Sequence, residues 1–140
     1  MKRFYVASSF KNVENVRYVA QSLESKGNLN TYDWTGIEGA SDGSTLTLED
    51  LGHIGQKERD GLLKADVVVI LLPGGKSAHV EMGIAIGQAK RIFLHSPDAA
   101  IDNIETTSTF YHLPEVEKCY GTLDELLEEI TGEELAVPGP

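Results

Sequence analysis

Residues 78–89 read Ala-His-Val-Glu-Met-Gly-Ile-Ala-Ile-Gly-Gln-Ala, and Glu81 is their only acid and only full charge. The stretch has the length of a helix and is apolar almost all round. A helix without a polar face is a buried helix. Burying a carboxylate is costly unless something compensates. Ser77 could cap this helix, but a capping box would need Glu at position 80, where the chain has Val80. Capping therefore does not account for Glu81. One compensation is the positive end of its own helix, one turn away, which favours the ionised form. An ionised carboxylate in an apolar pocket, beside the Gly74 and Gly75 turn, can serve as a nucleophile or bind sugar hydroxyls. The other compensation is a buried Lys or Arg, which would make Glu81 a structural ion pair.

A second acid belongs to the same question. Leu51, Ile54, Glu58 and Leu62 fall three and four residues apart in a helical stretch from about 48 to 64. Glu58 therefore sits on an apolar stripe. Asp60 falls on the polar side with Lys57 and Lys64. Glu58 is either drawn inward toward a site or lies at the edge of the helix face.

The elements that must position these acids alternate along the chain. Residues 66–73 are a continuous apolar run rich in β-branched residues, the pattern of a strand buried on both faces. Residues 2–7 and 29–32 are shorter strands, 91–95 a fourth, and 116–120 a fifth at an edge. Between the first two, Asn12 is placed to cap a helix with Val13, Val16, Val19, Ala20 and Leu23 on one side and Gly27 at its end. Thr122 and Glu125 form a capping box before Leu123, Leu126, Leu127 and Ile130, and Gly132 closes that helix. Asp66 begins a strand and reads as structural. Residues 99–115 carry no clear period. Residues 36–46 form a Gly/Ser/Asp-rich loop long enough to suggest function, and 133–140 read as a disordered tail.

The order β-α-β-α-β-α-β-(α)-β-α, its bracketed element being the unclear stretch 99–115, predicts with right-handed crossovers an α/β fold. It is a flavodoxin/Rossmann-like three-layer sandwich with a five-stranded parallel sheet in the order 2-1-3-4-5, in one domain over 1–132. Ligands of such sheets bind beyond the carboxyl ends of the strands, where strand order reverses. The turns at those ends are residues 8–12, 33–35, 73–77 and 96–98.

Composition narrows the classes. The chain has 140 residues and a formal net charge of −10, which argues against a nucleic-acid polymer as partner. No apolar run approaches the roughly 18 residues a membrane span needs, nor is there a signal-peptide pattern. The single Cys119 fits a reducing compartment. A cytoplasmic location is the expectation. His53, His79, His95 and His112 lack metal-ligand spacing, so no metal is expected, and no motif calls for a cofactor.

Three pieces of the chain resemble the nucleoside 2-deoxyribosyltransferase superfamily, which includes the deoxynucleoside 5′-monophosphate N-glycosidases. The first is the strand and turn from Phe4 to Phe10. The second is Glu58 followed by Ala65, Asp66, Val67, Val68 and Val69. The third and most specific runs from Gly74 to Gly83, like the family's small-residue loop leading into Glu-φ-Gly. The resemblance covers about the first two-thirds of the chain. It implies that Glu81 attacks C1′ of the sugar and that Glu58 is the supporting acid. It also implies retention of configuration, and a homo-oligomer in which a neighbour completes the pocket, with residues 106–112 as the donated segment. The sequence departs from the family at Gly75, where the transferases carry Asp and the phosphate-accepting members Ser. Glu58 stands where Asp is more usual.

The remaining candidates follow from the turns. Ser8, Ser9 and Lys11 lie near a helix start, where a 5′-phosphate could bind. Gly74 and Gly75 let backbone N–H groups approach a sugar or phosphate, with Ser77 as the nearest hydroxyl. Asp33 and Trp34 sit where a base would lie, Trp34 either stacking on it or packing in the core. His79 either touches substrate or is simply hydrogen-bonded. The expected reaction is cleavage or transfer of the N-glycosidic bond of a nucleoside or its monophosphate. The same residues also fit a non-catalytic module binding a nucleotide or nucleotide-sugar, or a TIR-like NAD glycohydrolase.

Overall fold

The structure, a computed structural model, describes residues 1–36 and 46–132. Most of the loop at 36–46, and the tail at 133–140, lie outside the described residues. Five parallel strands form one sheet: β1 (Arg3–Ala7), β2 (Leu29–Asn30), β3 (Val67–Leu71), β4 (Arg91–Ser96) and β5 (Val116–Tyr120). Their order is 2-1-3-4-5, as the sequence predicts. The helices are α1 (Val13–Ser25), α2 (Leu48–Lys64), α3 (Lys76–Gly87) and α4 (Leu123–Thr131). α1 packs with α4 and α2 with α3, so both faces of the sheet are covered. No described helix is long and apolar enough to cross a membrane.

The central strands explain the core. Every residue of β3 is buried, as a strand covered on both faces requires. β1 runs parallel to it in register, with Tyr5 opposite Val68. Strand side chains alternate between faces, so Phe4 and Val6 turn one way and Tyr5 the other. At the start of β3 the exposed Asp66 carboxylate takes two bonds from the Arg3 guanidinium, at 3.1 and 3.3 Å, and ties the start of β3 to that of β1. That is the structural role read for it.

Several local expectations are corrected. β2 holds only Leu29 and Asn30, because Tyr32 and Asp33 already turn away toward a 3-10 turn, Trp34–Gly36. Asn12 occupies the N-cap of α1 without capping it. Its amide donates to Ser8 Oγ at 3.1 Å, and its Oδ1 accepts from Asn15 at 2.6 Å. α3 starts at Lys76, two residues early, with Gly75 at its N-cap, so Ser77 does not cap it. Nor is α3 buried all round. Ala78, Glu81, Met82 and Ala85 are buried, while Val80 on the outer side is 64% exposed. α2 begins with a capping box between Thr47 and Asp50 that the sequence reading missed, because Asp in place of Glu hid the pattern.

Close helix–sheet approach depends on Gly61. A Cβ there would lie 2.8 Å from Tyr32 Cβ and 3.3 Å from the Tyr5 ring. Neither neighbour can swing aside, since one is a Cβ and the other is fully buried. Gly61→Ala should therefore lower stability by about 1–3 kcal/mol despite Ala's better helix propensity. Urea unfolding of the two proteins checks this: an unchanged midpoint would show that α2 is free to lift.

Candidate active site

A cleft of about 310 Å³ opens beyond the carboxyl ends of β1 and β3, where the strand order reverses. This volume lies within the range of small-ligand sites. Its walls differ in character. Ser8, Ser9, Gly75, Lys76 and Ser77 line one side, and Phe10, Trp34, Leu46, Leu51 and Ile54 the other. Glu58 and Glu81 both line it. A groove of about 350 Å³ between α2 and α3 borders the same two acids from outside.

Helix positions bring the acids together. Glu81 lies on the inward side of α3, in the turn that follows the free N–H groups. Glu58 lies on the stripe of α2. That stripe divides: Leu62 packs in the core, while Leu51, Ile54 and Glu58 form a wall of the cleft. The apolar pattern on α2 thus serves the core at one end and the site at the other.

Glu81 is 6% exposed and forms no ion pair among the described residues. Its partner is Tyr5, whose hydroxyl donates a short hydrogen bond to Glu81 Oε2. A neutral donor satisfies the carboxylate without neutralising it. Burial pushes the Glu81 carboxyl up to about 7, the Tyr5 bond pulls it down, and the nearby Glu58 charge pushes it up. The expectation that the helix N-terminus keeps Glu81 ionised is thus corrected. Desolvation is the largest influence on the group and moves it from the ordinary carboxylate range toward neutrality. Glu58, half-buried, is likewise raised by burial. Burial and the two carboxylates hold the Tyr5 hydroxyl protonated throughout the ordinary pH range.

The other predicted residues divide. Ser8, Ser9, Trp34, Gly75 and Ser77 reach the cleft. Ser8 spends its hydroxyl on the Leu71 carbonyl at 2.7 Å. Trp34 is 5% exposed, donates from Nε1 to the Val6 carbonyl at 2.6 Å and meets Phe10 edge to face. It is a fixed part of the floor rather than an open stacking platform. Asp33 does not line the cleft, since its Oδ1 accepts from Thr35 N at 2.9 Å. Lys11 is exposed and outside the cleft, its side chain carried away by the 3-10 turn Phe10–Asn12. Gly74 faces a separate cavity behind the turn. His79 points away from the cleft, bonded to Tyr111. Within residues 106–112, Tyr111 packs against the core of its own chain, while Phe110 is exposed.

Sequence reading missed Tyr5 and Lys76. Tyr5 was absorbed into an apolar strand, yet a fully buried tyrosine must find a partner for its hydroxyl. Lys76 was hidden by placing the helix start too late. It is the one cation lining the described cleft.

No protein-family model matches the chain, and no curated protein matches it. Among solved structures, the CMP N-glycosidase BcmB of Clostridium botulinum superposes with a TM-score of 0.58 at 17% identity, over 93% of this chain and 99% of its own. This chain shares its fold with a nucleotide N-glycosidase. A conserved protein from Enterococcus faecalis V583 superposes with a TM-score of 0.63 at 14% identity, over 96% of this chain and 99% of its own. At such identities the likeness is one of fold.

The raised Glu81 carboxyl has a consequence for stability. Below its unfolded value near 4.5 the group is protonated in both states. As pH rises toward about 7, the unfolded chain ionises while the buried group keeps its proton, so the fold loses stability. The loss should approach roughly 3 kcal/mol above that range. Urea midpoints at pH 5 and pH 8 should fall with pH in the natural protein. They should fall less in Glu81→Gln, which keeps an acceptor for Tyr5. Equal slopes would place the titration elsewhere.

Proposed function

We propose that this protein cleaves or transfers the N-glycosidic bond of a nucleoside or its 5′-monophosphate, with Glu81 as nucleophile. The observation that carries the reading is the meeting of Glu58 and Glu81 in one cleft at the sheet's switch point, with Glu81 held by Tyr5 rather than locked to a cation. A structural ion pair would have had Lys or Arg in that place. The motif resemblance and the fold shared with a CMP N-glycosidase support the same reading.

In this mechanism Tyr5 occupies Oε2, and the other oxygen, Oε1, attacks C1′. The C1′–N bond breaks through an oxocarbenium-like transition state, and its electron pair leaves with the base, which takes a proton from solvent water in the open cleft. Water or a second base then displaces Glu81 from the glycosyl ester, and the configuration is retained. Glu58 holds the sugar or base beside the reacting carbon. The α3 N–H groups, Ser77, Ser9 and Lys76 present donors and one positive charge to a 5′-phosphate. Phe10, Trp34, Leu51 and Ile54 offer an apolar surface to the base.

Incubation with deoxynucleosides, their 5′-monophosphates and NAD, with and without a second free base, tests this. Base release or exchange should occur for at least one class and fall on the order of 10³-fold or more in Glu81→Ala. Because Glu81 must be ionised to attack, kcat/KM should rise with pH through about 7. Tyr5→Phe removes the bond that lowers Glu81 and should move this rise to higher pH. No turnover of any member by a folded protein would leave a nucleotide-binding module instead.

The reading includes a homo-oligomer. Val80 on α3, 64% exposed, lines with Ile84 the groove that borders the two acids, apolar surface that a second copy would cover. Light scattering should give a multiple of the 15.3 kDa chain mass; a monomer at assay concentration would rule this part out.

A further inference from the structure

Residues 97–115 join β4 to β5 as a strap over the carboxyl ends of β3 and β4, carrying the 3-10 turns Ala99–Asp102 and Thr109–His112. Under the strap lies a cavity of about 380 Å³, lined by Leu72, Pro73, Gly74, Ser96, Ile101 and Tyr111 among others. Ile101, Tyr111 and Leu113 pack the strap against the core beside this cavity, and discrete bonds add to that packing. Several tie it to β4 and β5: Ser96 Oγ donates to the Asp98 carbonyl at 2.6 Å, Tyr120 to Asp102 at 3.0 Å, and Lys118 Nζ to His112 Nδ1 at 3.0 Å.

One bond crosses to α3. The Tyr111 hydroxyl lies 2.6 Å from His79 Nε2, and His79 Nδ1 lies 2.8 Å from the Gly75 carbonyl. A carbonyl only accepts, so Nδ1 carries the proton. In the neutral ring Nε2 then accepts from Tyr111. Both nitrogens are used, which fixes an exposed ring between two elements. The Gly75 carbonyl also takes the backbone N–H of His79, but at a longer 3.3 Å.

Gly75 is the N-cap of α3, lines the cleft and has no side chain of its own to cap the helix. With Gly74 it forms a turn of high intrinsic backbone freedom. Holding its carbonyl restricts that freedom at the point where the first α3 N–H groups face the cleft.

We propose that His79 is a positioning residue: bridging Gly75 and Tyr111, it ties the strap to the Gly74–Gly75 turn and so fixes the polar wall of the cleft for substrate binding. This rests on the N-glycosidase reading for its effect on substrate, and on the hydrogen bonds alone for the coupling of strap to turn. Tyr111→Phe keeps the packed ring and removes only the link. His79→Ala removes link and anchor at an exposed helix position.

Two measurements on the full chain test it. Amide hydrogen exchange at position 79, the first α3 amide bonded to the Gly75 carbonyl, measured without substrate and corrected for intrinsic rate, should quicken several-fold in Tyr111→Phe and more in His79→Ala. The double variant should match His79→Ala, because both changes act through one bridge. With the deoxynucleotide or nucleoside that turns over, KM should rise about fivefold in Tyr111→Phe, the effect of one hydrogen bond, with kcat within about twofold. Unchanged exchange in Tyr111→Phe, or effects of the two variants that simply add, overturns the proposal. So does a loss confined to kcat. If the natural protein turns over nothing, the glycosidase reading falls, and the exchange experiment still decides whether His79 couples strap and turn.

Discussion

The hydrogen bond from Tyr5 to Glu81 joins the middle of the sheet to the helix that carries the candidate nucleophile. It is buried at both ends, and no cation shares it among the described residues. Its existence constrains much else. Tyr5 must face the α2–α3 side of the sheet, which the β1–β3 register ensures. α2 must lie close enough to exclude water from the Tyr5 ring, which Gly61 permits. α3 must start at Lys76, directly after the Gly74–Gly75 turn, for Glu81 to fall inward. A carboxylate kept in this way is desolvated but not neutralised. Its proton affinity is poised near neutrality, where a small change in surroundings changes its charge.

The cleft above this bond has two chemically different walls because two kinds of element meet there. The β1 and β3 turns contribute hydroxyls, N–H groups and Lys76. The start of α2, with Trp34 and Phe10, contributes apolar surface. A ligand with an anionic or hydroxyl-rich end and a flat apolar end matches both walls, with its middle over the acids. The desolvation of Glu81 lowers stability above neutral pH, so the same burial that shapes the cleft weakens the core beneath it.

Much of the architecture was legible because it rests on short-range pattern. The unbroken apolar run before Pro73 meant a central parallel strand, and the alternation of strands and helices meant a doubly wound sheet. The isolation of Glu81 among apolar residues and the stripe position of Glu58 pointed to the two acids that share the cleft. The failures were also physical. Asn12 and Ser77 looked like caps, but cap residues act only when the turn aims their side chains at free N–H groups, and here it does not. Lys11 and Asp33 were near the right turns in sequence, yet a 3-10 turn and an Asp33–Thr35 bond point them away. α3 looked buried on every side, because an apolar outer face cannot be told from a buried one by composition.

The sequence by itself determined the fold class, the strand order and the two acids, since hydrophobic periodicity and crossover handedness depend on residues near one another along the chain. Only the tertiary structure decided what those acids are. Tyr5 and Glu81 are 76 positions apart, and His79 and Tyr111 are 32 apart. No local pattern carries a contact of that range. Whether Glu81 is a charge on a helix dipole or a desolvated group near neutrality depends on how much water the packed helices exclude, and that quantity exists only once the chain has folded.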